Sequence, residues 1–390
     1  MIKLAIVTTH PIQYYAPLFR ALAASKELSL HVFYLWDFGI KEHHDPGFQT
    51  DLAWDIPLLS GYDSSFIPNS STSPGTHSFW GINNPGLSSA LLEYQPDAIV
   101  TFGYHFLSFY RLLFSHLPNQ IPFILRGDSH LLVNRTGITE RVKHQIRKYI
   151  FSRYHSFLYV GEANKHYLLQ HGAREDQLFF SPHAIDNERF SADEDTRKEK
   201  ANSLRRDLNI APSELLFLFA GKFESKKRPD LLLEAFLSLK DKINSHLLFV
   251  GSGELEESLR RAAQGCPHIH FLPFSNQQEM PAIYTAADIL VLPSYGPYET
   301  WGLCVNEAFA TKTPALVSSH VGCASDLIER HDTGLIFEAG SVRSLQDALQ
   351  YTLTHREELD RWSENAYNRI TQYYDYTQTI AGFHKALKNL

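Results

Sequence analysis

Short apolar runs alternate with stretches of helical periodicity along most of the chain. LAIVTT (4–9) predicts a first strand, Tyr15 to Ala24 a helix with one apolar stripe, and LSLHVFYLW (28–36) a second strand. DAIVTFG (97–103), FILRG (123–127), SFLYVG (156–161) and QLFFSP (177–182) continue the series. From about Gly39 to Pro85 the sequence is rich in Gly, Pro, Ser and Asn and predicts a long loop, a kind of segment that often carries function. SADEDTRKEKA (191–201) is dense in charge without a hydrophobic period and predicts the linker between two domains. The alternation resumes with LLFLFAG (215–221), HLLFVGSG (246–253), HIHFLPF (268–274), DILVLPS (288–294), TPALVSS (313–319) and GLIF (334–337). The chain ends in helices, the last expected from about Tyr376 to Leu390. Strands alternating with helices predict parallel sheets covered on both faces.

Composition narrows the class. A chain of 390 residues, 44% hydrophobic, has material for two full cores. We expect an α/β protein of two Rossmann-like, doubly wound domains, residues 1–190 and 191–375, facing each other across a cleft. A formal net charge of -7 argues against a dedicated nucleic-acid binder. Cys266, Cys304 and Cys323 match neither a disulfide framework nor a zinc site. MIKLAIVTTH reads as a buried strand rather than a signal peptide, and there is no run of eighteen apolar residues. The expectation is a cytoplasmic protein.

Two doubly wound domains bind ligands beyond the carboxyl ends of their strands. A dinucleotide calls for G-x-G-x-x-G after the first strand, but THPIQYY (9–15) has no glycine and GSGELE (251–256) lacks the third. No Walker loop is present. LLFLFAGKFESKKRPDLLLEAF (215–236) ends a strand at Gly221, then gathers Lys222, Lys226, Lys227 and Arg228 before a helix near Pro229. Cations beside a helix N-terminus suit a diphosphate, although a solvated loop would read the same. In VLPSYGPYETWGLCVNEAFA (291–310), Glu299 stands at the mouth of a helix and Glu307 lies inside it, eight positions on. Helical phase would put both carboxylates on nearly one face, toward one ligand. Glu307 sits in an apolar run and needs a partner, for which a hydroxyl-bearing ligand would serve. The amides of Trp301, Gly302 and Leu303 at the helix start suit a phosphate. A helix cap plus a salt bridge is the plainer alternative.

ETWGLCVNEA resembles the two-glutamate signature, roughly E-G-F-G-L-x-x-x-E-A, of retaining GT-B glycosyltransferases of family 4 (glycosyltransferase group 1). GKFESKKRPDLLLEAF is similar to the family's G-R-L-x-x-x-K-G segment, with Lys222 in place of Arg and Arg228 in place of Gly. SPHAIDNERF (181–190) resembles its P-N-G-I-D-x-x-x-F segment, with His183 and Ala184 replacing Asn and Gly. FVGSGELEESL (249–259) and PALVSSHVGCASDLI (314–328) sit where the family has similar stretches. The resemblance covers most of the chain and is strongest from about residue 155. It implies transfer of a sugar from a UDP-, GDP- or similar nucleotide-sugar to a glycan, glycolipid or small glycoside, with retained configuration and no metal or other cofactor. It implies that Gly221, Lys222 and Lys227 meet the donor diphosphate and that Glu307 binds the ribose hydroxyls. Glu299, with Lys227, is then catalytic and contacts the transferred sugar, while Trp301, Gly302 and Leu303 supply amides. It also implies that helix 376–390 packs back on the first domain, and it suggests a place in polysaccharide biosynthesis.

The first domain departs from that pattern. THPIQYY replaces a Gly-rich loop, and FILRGDSH (123–130) has Arg126 where a His is expected. His10, Gln13, His105, Arg126 and Asp128 lie at or just past strand ends and are the acceptor-side candidates. ERVKHQIRKYIFSRY (140–154) is basic and amphipathic, with Val142, Ile146, Ile150 and Tyr154 on one face. It reads as a helix packed on its own sheet or as a peripheral contact with the inner face of a membrane. His268 and His270 share a strand face without making a metal site. Two rival functions stand beside the transferase: a GT-B nucleotide-sugar epimerase, which needs no acceptor, and a silent nucleotide-sugar-binding subunit.

Overall fold

The computed structural model of the chain describes residues 1–40, 43–45, 47–133, 137–239 and 244–390. The strands of the first half are β1 (Ile2–Thr8), β2 (Leu28–Tyr34), β3 (His43–Asp45), β4 (Thr50–Leu52), β5 (Asp63–Phe66), β6 (Ala98–Phe102), β7 (Phe123–Arg126), β8 (Ser156–Tyr159) and β9 (Leu178–Phe180). Those of the second are β10 (Leu215–Ala220), β11 (Ser245–Val250), β12 (Ile269–Leu272), β13 (Ile289–Leu292), β14 (Ala315–Ser318) and β15 (Gly334–Phe337). The chain divides into two compact units. One comprises residues 1–43, 56–184 and 376–390, the other 44–55 and 185–375.

The first unit is built on a seven-stranded sheet of order β5-β2-β1-β6-β7-β8-β9, parallel throughout. Strands buried on both faces read as unbroken apolar runs. In β1, Ala5 and Val7 enter one core and Leu4 and Ile6 the other, so every residue of the run is spent on packing. The chain moves outward from β1 through β2 to β5 and then returns beside β1 with β6. The carboxyl ends of β1 and β6 therefore flank a switch point, where open α/β sheets hold ligands. The helix Tyr376–Lys388 belongs to this unit. It buries Phe383, Ala386 and Leu387, and Gly382 lies so close to Phe180 that an added Cβ would stand 2.2 Å from its carbonyl oxygen.

The second unit has a six-stranded parallel sheet, β12-β11-β10-β13-β14-β15, with its own switch point between β10 and β13. Its core joins Phe217, Phe219, Leu231, Phe249, Val291 and Trp362. The expected pair of doubly wound parallel sheets is thus present.

Two expectations need correction. The stretch 39–85 is not simply loop. It contains β5, which pairs with β2, and the two-stranded sheet of β3 and β4, while its residues 41, 42 and 46 lie outside the described residues. β5 reads DSSF, an exposed edge strand held by backbone pairing rather than by apolar burial. The proposed linker at 191–201 is largely helical: Glu194–Asp207 forms a helix capped by the Asp193 carboxylate. Its charges are partners, not spacers. Arg197 donates to Thr285 Oγ1 (2.9 Å), and Arg205 reaches Asp288 (3.0 Å) and the Ala286 carbonyl (2.9 Å). The chain enters the second unit earlier, at Ile185, while residues 44–55 of the first half also lie in that unit.

At the amino ends of β11 and β12, His246 and His270 share a hydrogen bond (2.9 Å), His268 lies 4.9 Å from His246, and Glu214 lies 3.3 Å from it. Burial, and then the neighbouring His246 and His268, push His270 down to about 4. An unfolded histidine titrates near 6.5. Between these values only the unfolded chain takes up the proton, so stability falls as pH drops from about 6.5 toward 4. The melting temperature of His270→Gln should decline less over that interval than that of the parent. Parallel curves would show that His270 does not titrate as its surroundings require.

Candidate functional site

In the second unit the carboxyl ends of β10 and β13 carry the two motifs singled out above. Gly221 ends β10, and the four cations that follow go to four different carboxylates. Lys222 pairs with Asp45 (2.7 Å), Lys226 with Glu224 (2.7 Å), Arg228 with Asp230 (3.1 Å) and Lys227 with Glu299. The run of charge in sequence is therefore not one cationic patch. The Lys227 side chain reaches the β13 loop, and beside it the Lys226 carbonyl accepts from the Tyr295 amide (2.8 Å). Burial lowers the affinity of the Lys227 ammonium for a proton, but the Glu299 carboxylate and its neighbours more than offset this and raise its pKa above the ordinary lysine range.

Glu299 also accepts from Ser294 Oγ at the end of β13 (2.8 Å). Its loop is pinned by residues beyond β14: Gly322 N–H donates to the Glu299 carbonyl (3.1 Å) and Cys323 N–H to the Trp301 carbonyl (2.9 Å). A Cβ on Gly322 would lie 1.8 Å from the Thr300 carbonyl oxygen, so no other residue fits this approach without moving the Glu299 loop. The sequence signal for this contact was the VGC triplet, whose role depends on a fold-distant neighbour.

The helix begins at Leu303, with Gly302 as its cap at φ 101°. That left-handed turn corrects the argument from helical phase, because Glu299 lies before it and off the helix. The carboxylates are instead related through Cys304. Its thiol is pushed up to about 12, first by burial, and Lys227, Glu299 and Glu307 all act on it electrostatically. The first helical turn thus sits within reach of all three charged groups. Trp301 turns inward, its indole N–H donating to Asn306 (2.8 Å) and its ring lying 5.7 Å from Tyr374.

Glu307 is 3% exposed. The partner it needs is supplied within the protein: Tyr284 donates its hydroxyl to one oxygen (2.7 Å), and the Gln277 amide lies 3.5 Å from the other. Arg189 holds Gln277 through its side-chain and main-chain oxygens (2.6 Å each). Tyr284, Gln277, Ser294 and Cys304 were not singled out from the sequence: Tyr284 and Gln277 reach Glu307 across 23 and 30 positions, while Ser294 and Cys304 lie near Glu299 in the chain but carry no distinctive sequence signal.

The segment 44–55 bears on this site. Asp45 accepts from the amides of Gly47 (2.8 Å) and Phe48 (3.0 Å) as well as from Lys222, and the Phe48 ring lies 4.8 Å from the Lys222 ammonium. Phe48 packs on Phe274 (4.6 Å).

In the first unit, His105, Arg126 and Asp128 line one cavity of about 100 Å3 with Tyr15 and His183, past the ends of β6, β7 and β9. His10 and Gln13 do not line it; His10 sits among Trp36 (5.7 Å) and Phe38 (5.6 Å). Arg126, 3% exposed, donates to the Ser181 carbonyl (2.6 Å) and hydroxyl (2.8 Å) and to the Pro182 carbonyl (3.1 Å). Ser181 in turn donates to Thr379, so this arginine fastens β9 to the last helix and is first a structural group. His183 lies 3.4 Å from Asp128; burial pushes its imidazole down, against the pull of that carboxylate.

Among the described residues no group of three or more His, Cys, Asp or Glu is arranged to hold a metal ion, and no helix is long and apolar enough to cross a membrane.

Residues 200–369 match the family described as Glycosyl transferases group 1. An uncharacterised glycosyltransferase of Methanocaldococcus jannaschii is 32% identical over 141 residues, 35% of each chain. The D-inositol 3-phosphate glycosyltransferase of Geodermatophilus obscurus is 29% identical over 200 residues, 48% of this chain and 42% of that one. The chain thus spans well under half the length of these curated relatives. The crystal structure of Anabaena HepE in complex with UDP and glucose superposes over all of both chains with a TM-score of 0.74 at 14% identity. The fold, two parallel-sheet α/β domains, is that of GT-B structures.

Proposed function

We propose that this chain, whose residues 200–369 match the glycosyl transferases group 1 family, is a retaining family 4 glycosyltransferase using a nucleoside diphosphate sugar. The observation that carries the reading is the contact of Lys227 with Glu299 at the ends of β10 and β13, with Glu307 acting on the same Cys304 thiol. UDP is the first base to test, because HepE was crystallised with it. Lys227 neutralises the departing diphosphate without a metal ion. Lys222 joins it on leaving Asp45. Glu307 meets the ribose, and Gly302 and Leu303 offer main-chain amides at the helix start. Glu299 supports the positive charge that grows at the anomeric carbon, so preorganised electrostatics supplies most of the acceleration.

The bond from the anomeric carbon to the diphosphate breaks and its electron pair goes to the phosphate oxygen. The acceptor hydroxyl oxygen bonds to the same face, and its proton passes to the leaving phosphate. The acceptor is a glycan, glycolipid or small glycoside, held on the first unit by His105, Asp128 and His183 rather than by His10 or Gln13. The setting is cytoplasmic glycan synthesis at a membrane surface, with residues 140–154 as the peripheral contact.

A thermal-shift series with UDP, GDP, ADP, CMP, dTDP and their sugar conjugates, in the presence of a chelator, tests the reading. At a hundred times Kd a ligand of the folded state adds about 2.7 kcal/mol. We expect one nucleotide family to raise the melting temperature and Lys227→Ala to abolish the shift. No shift at millimolar ligand, or an undiminished shift in the variant, would count against the donor site proposed.

A further inference from the structure

The apolar face read for residues 140–154 is only partly covered by the protein. Of the four residues placed on it, Ile150 and Tyr154 are buried, but Val142 is 53% and Ile146 47% exposed. With Ile138 at 79% and Tyr149 at 61% they form an outward apolar face, at the i, i+4, i+8, i+11 spacing that places side chains on one side of a helix. Phe114, also exposed, stacks on Tyr149 (5.8 Å) and widens it. The residues facing the protein are largely polar. Arg147 lies 3.6 Å from Glu140 and within electrostatic reach of Tyr104, Tyr110 and Tyr167, and His144 lies 5.0 Å from His171. Ile150 and Phe151 anchor the end. Packing the sheet does not require Ile138, Val142, Ile146 or Tyr149.

Cations border the outward face. By helical phase Arg141 and Lys148 flank it on one side and Lys143, which is paired with Glu140 (2.8 Å), on the other, and all three are exposed. The helix carries Arg141, Lys143, Arg147 and Lys148 against the single carboxylate Glu140, in a chain of net charge -7. An apolar strip bordered by exposed cations is the chemistry of a helix lying in the interface of an anionic bilayer. A second copy fits less well, because twofold pairing would bring like charges together.

We propose that this face seats the first unit on an anionic lipid surface, with Ile138, Val142, Ile146 and Tyr149 entering the headgroup boundary and Arg141, Lys143 and Lys148 meeting lipid phosphates. The proposal deepens, and rests on, the reading of an enzyme working at a membrane surface.

The test is flotation of the full chain, without donor or acceptor, with vesicles of phosphatidylcholine alone or mixed equally with phosphatidylglycerol. The expected result is binding to the mixed vesicles only, weakened by added salt. Arg141→Gln with Lys148→Gln should weaken it about thirtyfold, at roughly one kcal/mol per surface cation. Val142→Glu with Ile146→Glu should abolish it, with the melting temperature moved by less than about 2 °C because both positions are exposed. No flotation with anionic vesicles, equal binding by the variants, or a dimer that the glutamate variant dissolves would overturn the proposal, the last assigning the face to a second copy. Nucleotide thermal shifts on the same preparations separate the two ideas. A retained shift without flotation removes the lipid surface alone, and flotation without any nucleotide shift removes the donor reading alone.

Discussion

Glu299→Ala should lower turnover by about 100- to 1000-fold while nucleotide binding changes little. This is the scale of losing one preorganised electrostatic contact to the transition state. The carboxylate does two things at once: it accepts from Lys227 and Ser294, and it supplies negative charge at the end of β13. Removing it also leaves the Lys227 ammonium without its carboxylate, so Glu299→Gln is the necessary companion. The amide keeps the volume and one acceptor but not the charge. If the charge matters, both variants lose kcat together and their nucleotide Kd values, measured by calorimetry, stay within a few-fold of the parent. Full turnover in Glu299→Ala would remove this residue from the mechanism.

Glu307 should behave differently, because it is buried and already bound. In Glu307→Ala the Tyr284 hydroxyl and the Gln277 amide lose their acceptor in a site that water scarcely reaches. An unsatisfied buried donor costs about 1–3 kcal/mol, so the melting temperature should fall by roughly 2–12 °C. Glu307→Gln keeps the shape and should lose much less stability. If Glu307 meets the donor ribose, however, the glutamine variant should still bind nucleotide about 10- to 100-fold more weakly, the range for charge-assisted hydrogen bonds. Calorimetric titration of the folded Glu307→Gln protein decides the matter. Parent-like nucleotide affinity would make Glu307 a core group whose partners are Tyr284 and Gln277 alone.

The strands were legible because parallel sheets bury both faces, which forces runs such as IKLAIVT and LLFLFA onto the sequence. What was illegible depended on partners far along the chain. β5 is polar and held by β2, and the charged helix Glu194–Asp207 is held through Thr285 and Asp288. At the site, Lys227, Glu299 and Glu307 stood out as unusual residues at strand and helix ends. Their geometry did not follow from spacing, because one left-handed residue, Gly302, resets the direction between the two glutamates. Arg126 shows a different limit. Its position at the end of β7 made it an acceptor-side candidate, and it lines the cavity with His105 and Asp128, but its bonds to Ser181 and Pro182 did not follow from the sequence. The helix 138–151 was legible as amphipathic, with packing on its own sheet and contact with a membrane both left open, since periodicity reveals that a helix has an apolar face but not whether the protein itself covers it.

The course of the chain between the units constrains how the molecule can be made. It passes from one unit to the other four times: after His43, after Asp55, after Ala184 and after Asp375. On a translating ribosome residues 1–184 emerge with β9 still lacking the helix that Arg126 and Ser181 fasten to it, because Tyr376–Lys388 is synthesised only after residues 185–375 of the second unit. Residues 44–55 meanwhile wait for Lys222 and Ser252, and then for Phe274 and Asn276, before they have their partners. Domains ordinarily fold one after another during synthesis. Here neither unit is complete until the other has been almost wholly translated: the first has all seven strands of its sheet by Phe180 but keeps the surface that Phe383, Ala386 and Leu387 cover open until the whole of the second unit has been made.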